Sequence, residues 1–554
     1  MRLAATPLAV LLVLSSATSL GQAILPARVE KAVLPARVEQ AARERVEAGT
    51  YPTLVIAVMQ GKAATVRTFG MLDDGNAPDG DTVYEIGSIT KTFTATLLAQ
   101  AVQSGQLALQ TPLDKVLPDF KIPQREGKVI TLGLIGSQYS GLPRMPTNFN
   151  PADPANPYAD YDGKQLKAFL ADYELPRNPG ASFEYSNLGF GLLGYALART
   201  AHTGYGALVE QQILRPLGMT MSGTAFSEAM RAHAAVGHDE AGRPVKNWDF
   251  DAVAGAGALR STANDMVRYL KANMGADAGS LYEAMKLAQT PRLNVNEHNR
   301  IGLAWMTTDK GITWHNGGTA GYRSFIGWSA DRQHGVVVLS NSSNEVDELG
   351  FAVLDEGAPL EPARKVVTLP HETLEAYAGT YALTAQFLLK VTRNGDQLRA
   401  QATGQGPLPI YASGVDEFFA KMSGISITFK RDGRGHVTGL VLHQNGDHPA
   451  PKVDAADLPP EPKAISLDAQ TLQTYVGKYA FAHGTALDVT LHEGQLQARL
   501  GPQQSFPVYP SAMDKFFYKV VDAQLEFERD AQGHIVAVIL HQNGRDQRAP
   551  LIKP

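Results

Sequence analysis

The sequence contains no cysteine. That excludes a disulfide framework, a thiolate nucleophile and any cysteine-based zinc or iron–sulfur site. It also lacks an excess of positive charge: 50 Lys plus Arg stand against 55 Asp plus Glu, a formal net charge of -5 at pH 7. A phosphate backbone attracts a basic field, so nucleic acid is not an expected partner. Long apolar runs are missing too. The run Leu8 to Leu14 is well short of the ~20 residues that span a bilayer, and no later segment is long and apolar enough. What remains is a chain of 554 residues, 44% hydrophobic and 19% charged, with 52 Gly and 33 Pro. This is the composition of a turn-rich globular protein, long enough for three or four domains at roughly 100–200 residues each.

The first residues read as an export signal. Arg2 supplies a positive start, Leu8 to Leu14 the apolar run, and Gly21-Gln22-Ala23 a small-x-Ala ending, so cleavage is expected after Ala23 and residues 1–23 as a signal peptide. A cysteine-free exported chain suits a bacterial periplasm or medium, which gives a periplasmic or secreted protein. The hexapeptide Leu25-Pro26-Ala27-Arg28-Val29-Glu30 returns as Leu34-Pro35-Ala36-Arg37-Val38-Glu39, read here as packing or linker.

Residues 24–356 alternate strand-like runs (Thr53 to Met59, Gly335 to Leu339) with helical runs (Thr92 to Val102, Leu188 to Ala201, Thr262 to Met274), an α+β pattern. Beyond Pro370 helical periodicity is sparse and short alternating strands lie between Gly, Asn and Asp turns. They also repeat: Tyr377-Ala378-Gly379-Thr380-Tyr381 returns as Tyr475-Val476-Gly477-Lys478-Tyr479 at an offset of 98, which also carries Phe418-Phe419 onto Phe516-Phe517 and His443 onto His541. The two copies, 371–452 and 467–554, each have room for about eight short strands. A small closed, lipocalin-like barrel removes their exposed edges. Pro459, Pro460 and Pro462 mark the linker between them, and His443 and His541 read as structural residues beside Asn-Gly turns.

Three segments of the front domain carry chemistry. Ser88 is the only serine followed three positions later by lysine, in Gly87-Ser88-Ile89-Thr90-Lys91, directly after the strand-like Val83 to Ile86. Phe93, Leu97 and Ala101 recur at helical spacing, which sets Ser88 at a helix start and Lys91 one turn on, facing the same way. A serine nucleophile needs a base, and the helix N-terminus favours developing negative charge. Alone, the pair reads equally as a serine-capped helix with a solvated lysine. The second segment, Glu184-Tyr185-Ser186-Asn187, leads into a glycine-rich helical run and can present the tips of Tyr185 and Asn187 together. An ammonium at Lys91 is expected to lower the Tyr185 pKa from about 10 and make the phenolate a base or shuttle, while Asn187 holds Lys91 and a substrate carbonyl. The third is Trp314-His315-Asn316-Gly317-Gly318. Its glycines let another backbone approach closely, and the Gly318 N–H is a candidate oxyanion donor beside that of Ser88; on this segment alone His315 reads as a turn or core histidine.

Taken in order, Ser88-x-x-Lys91, Tyr185-x-Asn187 and His315-x-Gly317 resemble the three active-site motifs of the serine penicillin-recognising superfamily, in its class C β-lactamase branch. Ser140-Gly141-Leu142-Pro143-Arg144 and Gly257 to Met266 are similar to structural landmarks of that family. The resemblance covers residues 40–355. It implies a β-lactamase/transpeptidase-like helix–sheet–helix domain on an antiparallel sheet, with Ser88 forming an acyl-enzyme and Lys91 and Tyr185 sharing proton transfer. Asn187, His315, Gly317 and Gly318 are then the substrate and oxyanion contacts, with no metal or organic cofactor. No serine sits in a G-x-S-x-G frame, which sets aside the α/β-hydrolase elbow.

One departure bears on substrate. Class C β-lactamases and many penicillin-binding proteins carry lysine where His315 stands, and a histidine of pKa about 6.5 is expected to recognise a carboxylate more weakly and with a dependence on pH. His-x-Gly is similar to D-aminopeptidase and related peptidase and esterase relatives, and a catalytic domain with two β-barrels resembles the D-aminopeptidase architecture. The expected function is a serine hydrolase acting on D-amino-acid peptides of cell-wall type, as D-alanyl-D-alanine carboxypeptidase, endopeptidase or D-aminopeptidase. The alternatives are a class C-like β-lactamase or carboxylesterase, and a penicillin-binding or sensor protein that does not turn over. Arg144 to Lys164, with Phe149, Tyr158 and Tyr161, is read as a long loop that either borders the cleft or lies on the surface away from it.

Overall fold

Thr53–Gln60 and His334–Ser340, neighbouring strands of the front sheet, are buried along almost their whole lengths, which a sheet covered on one face cannot produce. Their side chains alternate between two separate apolar cores: Val55, Ala57, Met59, Val337 and Leu339 enter one, Leu54, Ile56, Val58, Val336 and Val338 the other. Helices cover both faces. Thr90–Gln103, Ala263–Asn273 and Tyr282–Gln289 pack on the first, Ala36–Glu47 and Asp347–Leu354 on the second. The sheet has eight strands in the order 63–70, 53–60, 334–340, 323–328, 313–318, 306–308, 299–301, 293–294. Every paired neighbour is antiparallel, as the helix–sheet–helix expectation has it.

This computed structural model describes residues 32–552 except positions 241, 363–365, 385–386, 404, 406, 421–424, 445, 455–463, 482–485, 493, 502–504, 519–522 and 543–544. The expected signal peptide, the first hexapeptide copy and nearly all of the proline-bearing linker lie outside the described residues. Among the described residues no helix is long and apolar enough to cross a membrane.

Among the described residues the C-terminal part is all β apart from two short helices, His371–Tyr377 and Ala469–Gln473. The eight strands from Gly379–Ala382 to Asp447–Val453 close into a barrel, the first pairing with the last. The eight from Gly477–Ala480 to Arg545–Pro550 run in the same order; there the ends meet through a bridge of Tyr479 to Leu551 and the Ile552 N–H donating to the Lys478 carbonyl at 2.7 Å. Each unit has its own aromatic-rich core.

The duplication extends to a half-buried polar cluster. In the first unit the Tyr377 hydroxyl lies 2.9 Å from Asp416 Oδ1, and Arg431 Nε reaches both Asp416 oxygens at 2.7 and 3.0 Å. Tyr475, Asp514 and Arg529 repeat it at 2.9, 2.9 and 3.1 Å. His443 is tied by Asp447 at 2.7 Å and Thr428 at 2.9 Å, and His541 by Asp546 at 2.7 Å, so both act as struts between neighbouring strands. The first barrel also touches the front domain, where the Tyr411 hydroxyl donates to the Glu240 carbonyl at 3.1 Å.

Candidate active site

Ser88 sits in a single helical turn, Gly87–Ile89, that runs directly into Thr90–Gln103. The turn is held from the side: the Ile86 N–H donates to the Leu259 carbonyl at 3.0 Å, and the Leu259 N–H donates to Thr90 Oγ1 at 3.0 Å. Amides in a first helical turn have no acceptor within the helix, so the Ser88 N–H is placed to serve an external oxygen. Lys91 follows one turn later and is buried. Its Nζ lies 2.9 Å from Ser88 Oγ, 2.9 Å from Asn187 Oδ1 and 2.7 Å from the Ala256 carbonyl oxygen. Burial first, and the Arg144 charge second, hold the Lys91 pKa well below its ordinary value.

Tyr185 and Asn187 flank the start of helix Asn187–Thr200, whose cap is Ser186, its Oγ accepting from the Gly189 N–H at 2.8 Å. The same hydroxyl donates to the Pro143 carbonyl at 2.6 Å, and the Arg144 carbonyl accepts from the Asn187 and Leu188 amides at 3.1 and 3.2 Å. The Ser140 to Arg144 landmark is thus the clamp that sets the Tyr-x-Asn junction. Lys91 Nζ stands 4.9 Å from the Tyr185 ring centroid, over its face. The expectation of a lowered Tyr185 pKa is corrected. Burial pushes it up to about 12 against the pull of the Ser88 hydroxyl and Arg144, so Tyr185 is a protonated phenol at neutral pH. A desolvated lysine supplies too little positive charge to offset the burial of the phenolate.

The third segment lies on strand Thr313–Gly318, whose period of two explains the His-x-Gly spacing. His315 and Gly317 share one side; Asn316 turns to the other and donates to Asp347 Oδ2 at 2.6 Å. A Cβ on Gly317 would collide with the Ile86 carbonyl, and one on Gly87 would lie 2.6 Å from the Gly318 amide nitrogen. Only bare backbone allows the strand this close to the serine turn, and it brings the Gly318 amide beside Ser88. His315 is buried with Nδ1 2.6 Å from the Asn316 carbonyl oxygen, an arrangement that protonates Nδ1 and leaves Nε2 as an acceptor. Burial, then the neighbouring Lys91 charge, lower its pKa to about 3. A pH-dependent carboxylate contact near neutrality is therefore corrected as well: His315 is neutral there and does not titrate.

The structure brings Ser88, Lys91, Tyr185, Asn187, His315, Gly317 and Gly318 into one cluster. It adds the Ala256 carbonyl, Trp248, Phe250 and Thr319, which the sequence did not mark. The Ala256 carbonyl is a backbone atom and leaves no side-chain signal. The cleft over Ser88 is walled by Tyr158, Trp248 and Phe250, with Asn187, Gly318 and Thr319. Tyr158 stacks on Phe250 at 4.6 Å and meets Trp248 at 5.1 Å. The Trp248 amide donates to the buried Glu85 at 2.8 Å, which anchors this wall to the strand preceding Ser88. Of the aromatics noted in the long loop, Tyr158 borders the cleft, whereas Phe149 and Tyr161 pack behind it.

Comparison with known proteins places this geometry. The beta-lactamase family matches residues 38–356, and a domain of unknown function, DUF3471, matches 363–458 and again 461–549. The D-alanyl-D-alanine-carboxypeptidase/endopeptidase AmpH of Escherichia coli is 26% identical over 310 residues, 52% of this chain and 79% of AmpH. Protein flp of Staphylococcus aureus is 25% identical over 304 residues, 52% of this chain and 59% of flp. Among solved structures, a beta-lactamase/D-alanine carboxypeptidase from Pseudomonas syringae has a TM-score of 0.52 at 22% identity, covering 58% of this chain and 98% of its own. One from Yersinia pestis has a TM-score of 0.50 at 23% identity, covering 55% and 91%. At these identities the likeness to the solved structures is one of fold.

Proposed function

The chain belongs to the beta-lactamase family and is a serine hydrolase, and we propose that it cleaves amide bonds of D-amino-acid-containing, cell-wall type peptides through an acyl-enzyme on Ser88. The observation that carries this reading is the set of partners around Lys91. Asn187 Oδ1 and the Ala256 carbonyl can only accept, so they use two N–H bonds, and a neutral amine then has one lone pair left for the Ser88 hydroxyl. Lys91 is a base poised on the nucleophile, its burial disfavouring the charged form.

Ser88 Oγ attacks the carbonyl carbon as its proton passes to Lys91 Nζ, and the carbonyl oxygen takes up negative charge between the Ser88 and Gly318 amides. The C–N bond breaks as the phenol of Tyr185 gives its proton to the leaving nitrogen and is reprotonated from Lys91. Water then attacks the ester, with Lys91 and Tyr185 taking its proton and returning one to Ser88 Oγ. Asn187 fixes Lys91 and the substrate amide. AmpH, a D-alanyl-D-alanine-carboxypeptidase/endopeptidase, supports the peptide substrate, and so does a neutral His315 where a β-lactamase has lysine. Arg2 and the run Leu8 to Leu14 support an exported, periplasmic or secreted enzyme.

The test is an intact-mass time course of the protein with a penicillin, beside release of D-alanine from a D-alanyl-D-alanine peptide, with Ser88→Ala as control. The expected result is D-alanine release and a slowly clearing adduct, both lost in Ser88→Ala. Rapid clearing with hydrolysed drug and no D-alanine would make it a β-lactamase instead. Unchanged activity in Ser88→Ala would overturn the mechanism.

A further inference from the structure

We infer that Arg144 is a specificity-determining residue that binds a carboxylate carried by the substrate, supplying beside Tyr185 the positive charge that His315 does not. The inference rests on the acyl-transfer reading of Ser88 and adds the charge of the substrate to it.

The side chain of Arg144 is exposed to solvent, its guanidinium carbon 5.3 Å from the Tyr185 ring centroid. Its backbone carbonyl is pinned by the Asn187 and Leu188 amides, so the residue is carried on the same clamp that positions the Tyr-x-Asn junction. Its charge reaches the reacting groups: it pulls against the burial that raises the pKa of Tyr185 and Tyr158, and adds to the burial that lowers that of Lys91. Among the described residues no carboxylate forms an ion pair with its guanidinium, which lies over the Tyr185 ring. The other cations nearby are committed: Lys91 is buried on three partners, and Arg323 pairs with Glu345 at 3.0 Å. An exposed guanidinium with no carboxylate partner among the described residues, rooted on fixed backbone beside Tyr185, can receive a planar carboxylate in two parallel hydrogen bonds.

The alternative role for Arg144 is to stack on Tyr185 and tune it, with no hand in choosing the substrate. Two ester pairs separate these roles and locate the carboxylate. In one, the 4-nitrophenyl monoester of glutaric acid and its methyl ester, the charge is in the acyl part; in the other, 3-acetoxybenzoate and its methyl ester, it is in the leaving group. The readout is the ratio of kcat/KM for the acid over that for its methyl ester. Arg144→Gln is expected to lower this ratio roughly ten- to a hundredfold in one pair, the factor associated with a hydrogen bond to a charged group. Arg144→Lys should keep part of the preference, as a point charge without the fork. An unchanged ratio in both pairs overturns the inference, whatever happens to the individual rates. The same preference is read without turnover as dissociation constants in a Ser88→Ala background, with and without Arg144→Gln. Esters that are bound with a preference lost in Arg144→Gln, yet not hydrolysed by the wild type, would sink the acyl-transfer reading and keep this one. Equal affinity for acid and methyl ester in Ser88→Ala would sink this one alone.

Discussion

In the proposed mechanism Lys91 is the residue on which the chemistry turns, and burial is the first influence on its protonation. With its pKa held well below the ordinary value, the neutral amine that accepts the Ser88 proton forms as pH rises through the folded pKa and is lost as pH falls through it. The rate of Ser88 acylation is therefore expected to rise with pH along a single acid limb and then level. His315, at about 3, is already neutral throughout that range, so His315→Gln should retain the limb. Rapid-quench mass spectrometry from pH 5 to 9 measures this, and a limb that disappears in His315→Gln would assign it to the histidine instead. Ser88 and Lys91 were legible because SxxK after a strand and at a helix start is a local pattern. The protonation of Tyr185 was not: a pairwise estimate counts a neighbouring ammonium but not the desolvation of both groups, which only the packed site reveals.

At the scale of elements, the site depends on how near the strand Thr313–Gly318 can come to the serine turn. Gly317→Ala sets a methyl group against the Ile86 carbonyl, backbone that cannot swing away. Overpacking of this kind costs about 1–3 kcal/mol. The variant is expected to lose that much stability by denaturant unfolding and to acylate more slowly, because the Gly318 amide is moved off the oxyanion position. Full stability would mean that the turn and strand are less tightly apposed than described. The helices and strands that carry the motifs were readable from periodicity, since their apolar spacing is local. The Tyr377, Asp416 and Arg431 cluster was not, although the repeat already marked Tyr377 and Tyr475. Its members lie 39 and 54 residues apart from Tyr377 in sequence and meet only when the strands curl.

Across the whole molecule, the two C-terminal units have cores separate from each other and from those of the front domain. Asp514→Ala leaves Arg529 and Tyr475 without their shared acceptor, a loss of about 1–3 kcal/mol. Calorimetry should show it lowering the unfolding transition of residues 477–550, while Asp416→Ala lowers that of residues 379–453. An equal shift of every transition by either variant would mean that the units unfold as one. Composition, the 98-residue duplication, the order of the three motifs and the alternation of strands and helices were all set by the sequence, because each depends on residue type and on spacing along the chain. The lowered pKa of Lys91, the neutrality of His315, the Ala256 carbonyl, the aromatic wall and the place of Arg144 beside Tyr185 were decided by the tertiary structure. Burial and backbone proximity are properties of segments far apart in sequence, and they take their values only when those segments are packed together.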